Sequence, residues 1–333
     1  MSQINNFICF DLEGPLSPQD NAYELMRLFP NGDKVFEVIS RYDDLLALEG
    51  KEGYEPGDTL ALIVPFLILH DISERHIATL AAEASFTSGA PDLIRQLQSA
   101  NWQTFCISTS YQQYATYLTG KLGIDARNVA CTTFPLDQLR ITLCKEESEL
   151  LQQTEREILK MEPVTNDRRV KQSLDGFFWG KLPSTETGKA IGEIRPVGGR
   201  RKVTALNRFA GSHAQPLSRW VVVGDSITDA RMLQAVDESG GLAIAFNANE
   251  YALPCATMSL ASTFISDLAE ILEAWYEGQR KAVEELVKEK EKSGGSGNRG
   301  YFHWLSGRDD IDEVIEVHQR IRRLVREEAG KLG

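Results

Sequence analysis

Cysteine is scarce in this chain and follows no pattern. The five residues, Cys9, Cys106, Cys131, Cys144 and Cys255, contain no C-x-x-C pair and no metal-ligand spacing. That excludes a disulfide framework or a zinc knuckle as the organising element, and Cys9 and Cys106, set in apolar runs, read as small core residues. The five histidines (His70, His76, His213, His303, His318) show no paired ligand spacing, so none is assigned to catalysis or metal. Positive charge is in deficit: 36 Lys and Arg stand against 48 Asp and Glu, a formal charge of −12. A nucleic-acid or anionic-membrane surface is not expected of such a chain. An anionic substrate would instead need a local cationic device, either a metal or a few placed Lys and Arg. Long apolar runs are missing too. The longest, LALIVPFLIL at residues 60–69, is too short to span a bilayer and contains Pro65; it reads as a buried helix, with no membrane partner. The first residues lack a basic region followed by an apolar signal core, so the expected location is the cytoplasm. There is no internal repeat.

What is present is a set of short apolar runs rich in β-branched and aromatic residues, at 7–10, 104–107, 129–133, 220–223 and 242–246. Most lead into a polar or glycine turn and then a helical pattern. Continuous apolar strands alternating with helices imply a parallel sheet covered on both faces, an α/β doubly wound fold of Rossmann type. At 333 residues the chain has room for such a core and sizeable insertions. The spacing of the strands locates the insertions. The expected core comprises residues 1–14, 86–135 and 196–275. A helical cap is expected at 15–85, with helices at 21–29, 34–48, 59–70 and 74–84. A second insertion at 136–195 carries a charged helix at 146–160 and an aromatic run, Phe177-Phe178-Trp179, expected to pack on the core. Beyond residue 276 a charged helical extension contains a flexible linker at 293–300. Its last helix, 311–325, brings Ile311, Val314, Ile315, His318, Ile321 and Val325 to one face. That face suits the core, a second subunit or a protein partner.

In open α/β sheets ligands bind beyond the carboxyl ends of the strands. The first strand, in FICFDLEGPL, ends in Asp11-Leu12-Glu13-Gly14; the second in Ser108-Thr109-Ser110; the fourth in Gly224-Asp225-Ser226-Ile227-Thr228-Asp229. Lys202 begins a helical pattern upstream of that fourth strand. These exits offer four carboxylates, hydroxyls and one lysine. Clustered acids repel one another, and a hard divalent cation relieves that repulsion. Mg²⁺ takes few carboxylates, keeping positions for water and phosphate oxygens. A carboxylate can act as a nucleophile toward phosphorus, while a second acid two residues on can exchange protons with the leaving oxygen and then water. The lysine and a hydroxyl would hold the transferring phosphoryl group.

The ordered set D-x-E, Ser, Lys and G-D-S-x-x-D resembles the haloacid dehalogenase-like hydrolase superfamily, in particular its phosphoserine-phosphatase-like branch. The likeness covers the core strands. It implies a Mg²⁺-dependent phosphatase of a small phosphorylated metabolite, working through a phospho-aspartate on Asp11 with Glu13 as general acid and base. Ser108, with Thr109 beside it, and Lys202 would bind phosphate. Asp11, the Glu13 carbonyl, Asp225 and Asp229 would surround the metal. Lys189 is the alternative to Lys202. DLEGPLS, ISTSY and VGDSITD together also look like an archaeal group called energy-converting hydrogenase A subunit R. Two letters depart from the superfamily pattern. Glu13 is one methylene longer than the usual Asp, and Pro15 removes an N–H where Thr or Val is usual, stiffening the entrance to the first insertion.

Three residues are candidates for substrate contact, each with a structural alternative. Asp20 stands where the phosphoserine phosphatase pattern has an acid for the substrate amine, but it also suits an N-cap for the helix at residue 21. Arg41 could meet a substrate carboxylate, although Asp43 and Asp44 are ready partners. Asn247, like Asn249, follows the fifth strand and equally suits a turn. Arg200 and Arg201 read as surface charges, with a second substrate anion as their alternative. Two other functions fit the same residues: phosphotransfer to an alcohol acceptor, and a non-catalytic accessory subunit that uses the fold for binding.

Overall fold

A computed structural model describes residues 6–161, 167–293 and 300–326. Seven strands form one sheet: β1 (Asn6–Phe10), β2 (Trp102–Tyr111), β3 (Val129–Thr132), β4 (Trp220–Gly224), β5 (Leu242–Phe246), β6 (Met258–Ala261) and β7 (Tyr301–Trp304). Their order is β3-β2-β1-β4-β5-β6-β7, parallel except for β7, which runs antiparallel to β6. Every residue of β1, β4, β5 and β6 is buried. That is why they read as unbroken apolar runs: alternate side chains enter separate cores on the two faces of the sheet. On β1, Ile8 and Phe10 join one core, and Phe7 and Cys9 the other.

Between β1 and β2 lie α1 (Asn21–Met26), α2 (Gly32–Leu48), α3 (Thr59–Leu62), α4 (Val64–Leu69) and α5 (Glu74–Glu83), and α6 (Ala90–Ser99) then leads back to the sheet. Along α2, Val35, Phe36, Ile39, Tyr42 and Leu46 recur at helical spacing and are all buried. The single helix expected over residues 59–70 is two, α3 and α4, meeting at Ile63. Pro65, in the first turn of α4, has no N–H to leave unpaired there. After β2 come α7 (Gln112–Lys121), then, beyond β3, α8 (Leu136–Arg140), α9 (Lys145–Ile158), α10 (Asp167–Asp175) and α11 (Glu186–Ile191). The aromatic run belongs to a π-helical turn over Gly176–Lys181. It packs on the first insertion: Phe178 stacks on Tyr42, Phe177 lies against Phe66, and the Trp179 indole donates to the Tyr42 hydroxyl at 2.7 Å.

The remaining helices are α12 (Arg200–Ser212), α13 (Ala230–Glu238), α14 (Ala269–Ser293), whose backbone leaves the helical range at Gly278 and Gln279, and α15 (Asp312–Arg326). Most of the expected linker, 294–299, lies outside the described residues. The extension is more than helices, because β7 adds a strand to the sheet edge and α15 docks on the core. The docked face of α15 is also rotated from the expected one. Val314, His318, Ile321, Arg322 and Arg326 are buried, while Ile311, Ile315 and Val325 are only partly so. Among the described residues no helix is long and apolar enough to cross a membrane.

The topology positions the site. From β1 the chain builds β2 and β3 on one side, then returns to place β4 on the other. The switch point therefore lies where the carboxyl ends of β1 and β4 adjoin. Phe10 pairs with Val223, so the next residues out, Asp11 and the Gly224-Asp225 turn, emerge side by side.

Candidate active site

Asp11 is held by the strand it ends: its N–H donates to the Val223 carbonyl at 2.8 Å, and its own Oδ1 accepts from Leu12 N at 2.7 Å. Its Oδ2 lies 3.0 Å from Lys202 Nζ. Lys202, in the first turn of α12, is fully buried and also donates to Asp229 Oδ1 at 2.7 Å. Burial alone would push the lysine pKa down, but Asp11 and Asp229 outweigh it and hold the ammonium above its ordinary value. Burial and the nearby Asp229 push the Asp11 carboxyl well up, with Lys202 opposing. Lys189, the alternative, pairs with Glu186 at the surface.

Asp229 closes the β4 loop, its Oδ2 accepting from the N–H groups of Asp225 (3.0 Å) and Ser226 (3.2 Å). Asp11, Asp225 and Asp229, all buried, can each offer one oxygen within 4.8 Å of the others. Asp225 Oδ1 is buried without a partner. Three hard oxygen donors with an orphaned lone pair among them fit a small divalent cation. Gly14 makes the approach feasible. Its φ is +105°, and a side chain there would overlap the Asp225 carboxylate. The turn after it also explains Pro15. Gly14 N donates to Ser17 O, and Leu16 N and Ser17 N to Leu12 O, so residue 15 is the one whose N–H the turn does not use.

Glu13 stands apart from the three-carboxylate group. Its Oε1 accepts from Asn21 N at 2.5 Å, tying the site to the start of α1. Burial, reinforced by the charge of Asp20, raises its pKa to about 7, against the pull of the Asn21 N–H and Arg326. Ser108 lies within β2, which runs on to Tyr111 instead of ending before it, and its Oγ accepts from Ser110 N at 3.1 Å. Thr109, not Ser108, lines the cavity of about 140 Å³ above Asp11, with its hydroxyl donating to Val197 O.

The substrate candidates fare differently. Asp20 caps α1, accepting from Tyr23 N at 2.9 Å, and also lines the cavity. Arg41 pairs with neither Asp43 nor Asp44. It forks onto Asp167 at 3.0 and 2.7 Å, away from the cavity, because α10 lies alongside α2. Asp43 is instead buried under the loop before α3, accepting from the Tyr54 hydroxyl and from Thr59 N at 3.3 Å. Asn247 is structural: at φ 46° its side-chain amide exchanges two hydrogen bonds with the Ser262 backbone. Asn249 reaches the cavity wall, where its N–H holds the Asp225 carbonyl at 2.9 Å. Arg200 and Arg201 clasp Glu55 and Asp58 of the first insertion.

Sequence reasoning missed Arg322 and Arg326. Both guanidinium groups reach Asp225 Oδ2 from α15, Arg326 Nη1 at 2.9 Å. The available signal was their spacing, four and eight residues after His318 on the face assigned to packing.

No family model matches the chain. A phosphoserine phosphatase of Idiomarina loihiensis is 25% identical over 272 residues, covering 82% of this chain and 94% of that protein. A gene product of Archaeoglobus fulgidus, 30% identical, superposes over 99% of both chains with a TM-score of 0.84. The fold is shared with a phospho-aspartyl intermediate analogue of phosphoserine phosphatase, at a TM-score of 0.52 and 17% identity over 80% of this chain and 98% of that one. The parallel sheet, with its carboxylates gathered at the β1–β4 switch point, is the arrangement that the resemblance to the phosphoserine-phosphatase-like branch of the haloacid dehalogenase-like hydrolases leads one to expect, and the chain is similar over most of its length to a phosphoserine phosphatase.

Proposed function

We propose that the protein hydrolyses a small phosphorylated metabolite through a phospho-aspartate at Asp11. What carries the reading is one arrangement: Asp11 fixed at a strand end, bonded to a buried lysine, beside two further acids and an acid that titrates near neutrality. An Asp11 carboxylate oxygen bonds to phosphorus as the ester P–O bond breaks, and protonated Glu13 gives its proton to the leaving oxygen. Glu13, now ionised, takes a proton from water. The water oxygen bonds to phosphorus and the Asp11–phosphorus bond breaks, releasing inorganic phosphate and restoring both residues. A pKa of about 7 suits both duties, since each protonation state is populated near neutral pH. Lys202 holds Asp11 in position and supplies fixed positive charge near the phosphoryl oxygens. Asp11, Asp225 and Asp229 would hold Mg²⁺, which when bound supplies neutralising charge for the phosphoryl group.

The cavity wall includes Asp20 and Asp44 as well as Arg322 and Arg326, a lining of both signs that suits a zwitterionic phosphoester. Phosphoserine, which names the Idiomarina relative, is therefore the first substrate to test. With Mg²⁺ present, phosphate release should be measurable for the wild-type chain and fall by about 10³-fold or more in Asp11→Asn. An Asp11→Asn chain that hydrolyses at the wild-type rate would overturn the assignment.

A further inference from the structure

Two buried cations take no part in those bond changes, though both line the cavity. Arg322 and Arg326 lie on α15, one and two turns beyond His318, so the three side chains form a single stripe facing the catalytic edge of the sheet. His318 Nδ1 accepts from Ala248 N at 2.9 Å. Arg322 Nη1 donates to Asp225 Oδ2, to the Asn247 carbonyl at 3.1 Å and, more weakly, to the Asp225 carbonyl at 3.4 Å. Arg326 donates through Nη1 to the same Asp225 Oδ2 at 2.9 Å and through Nε to the Pro18 carbonyl at 3.3 Å. Arg322 is 4% exposed and Arg326 8%. Guanidinium groups so far out of water are costly unless paired, so this is a built contact and not a surface one.

The division of labour on Asp225 carries the inference. Both arginines converge on Oδ2, Oδ1 is left buried without a partner, and Asp225 can bring one oxygen within 4.8 Å of an oxygen from each of Asp11 and Asp229. Counted as ionised, three carboxylates and Lys202 carry two net negative charges, the complement of one divalent cation. With Arg322 and Arg326 docked the same group is neutral before any cation arrives. We propose that Arg322 and Arg326 are positioning residues that turn the free oxygen of Asp225 toward Asp11 and Asp229 and hold the divalent-cation affinity of the cluster low. The C-terminal helix is then part of the active site. This rests on the reading of the three acids as a cation site.

The test is calorimetric titration of the full chain with Mg²⁺ and with Mn²⁺, without substrate. Arg326→Gln and Arg322→Gln remove one positive charge each. A unit charge within about 4–6 Å moves the proton affinity of a carboxylate by roughly ten- to a thousandfold, and a dication responds more strongly. Each variant should therefore bind both cations about tenfold more tightly or better than wild type. Arg326→Lys, which keeps the charge and loses the fork, should stay near the wild-type affinity. Should Arg322→Gln fail to fold, Arg326→Gln tests the same carboxylate oxygen. Wild-type or weaker affinity in the Gln variants overturns this proposal alone. A wild-type chain that takes up neither cation overturns the cation-site reading and this proposal with it.

Discussion

The first insertion and the C-terminal helix both reach the cavity over Asp11, and they bring opposite charge. The insertion contributes acids. Asp20 and Asp43 are engaged by backbone N–H groups, and Glu55 and Asp58 are held by Arg200 and Arg201 at the start of α12, next to Lys202. Helix α15 contributes cations that touch a catalytic-edge carboxylate directly. The difference teaches that two covers on one site can act through different variables. The insertion controls where the α12 turn and the cavity walls sit, whereas α15 controls the charge the acid cluster presents.

The largest expected effect comes from forcing the insertion off its seat. An added side chain at Gly198 would overlap the Pro56 backbone carbonyl, so Gly198→Ala must displace the loop that lines the site. The expected cost is about 1–3 kcal/mol of stability, with a loss of about 10²-fold in kcat/KM from misplacement near 1 Å. Cation affinity, set from the other side, should hold. Steady-state kinetics beside a cation titration would check the split, and wild-type kcat/KM would mean the two covers are not distinct in this way.

A middle effect concerns α15 alone. Burial, helped by the charges of His303 and Arg322, pushes the His318 pKa down to about 3, from an ordinary 6.5. The undocked helix therefore binds a proton that the docked helix must shed. His318 favours docking fully above about pH 6.5, and that contribution is lost as pH falls toward 3. Hydrogen-exchange protection factors of α15 should drop between about pH 7 and pH 5 while those of α2 change less. His318→Gln, an acceptor that does not titrate, should flatten the α15 response. Equal loss of protection in both helices would break the comparison.

The smallest effect is expected at Arg200→Gln. The Arg200 side chain is 70% exposed although it meets Glu55 at 2.5 Å. Such a pair contributes about 0.2–1 kcal/mol and less in high salt. Thermal melts at low and high salt should show a small difference that salt erases. A larger, salt-resistant loss would mean the insertion is anchored by charge as well as by fit.

Legibility followed locality. The strands β1, β4 and β5 were readable because a strand covered on both faces must be apolar throughout. Asp11 and Asp225 were readable because each directly follows such a strand, and Asp229 because it closes the turn that Asp225 opens. Lys202 was harder, one cation in an Arg-Arg-Lys run, and only its packing between two acids separates it from Lys189. The break at Ile63, the pairing of β7 with β6 and the fork of Arg41 onto Asp167 were not readable. The last two depend on segments distant in sequence.

By itself, then, the amino-acid order determined an α/β sheet and the residues that leave its carboxyl edge, since burial on two faces and turn chemistry are local demands. Only the tertiary structure decided which charges meet there. A buried arginine is stable where a carboxylate awaits it. That Arg322 and Arg326 find Asp225 depends on how α15, following the edge strand β7, reaches back to the turn after β4, a long-range fit that no local pattern encodes.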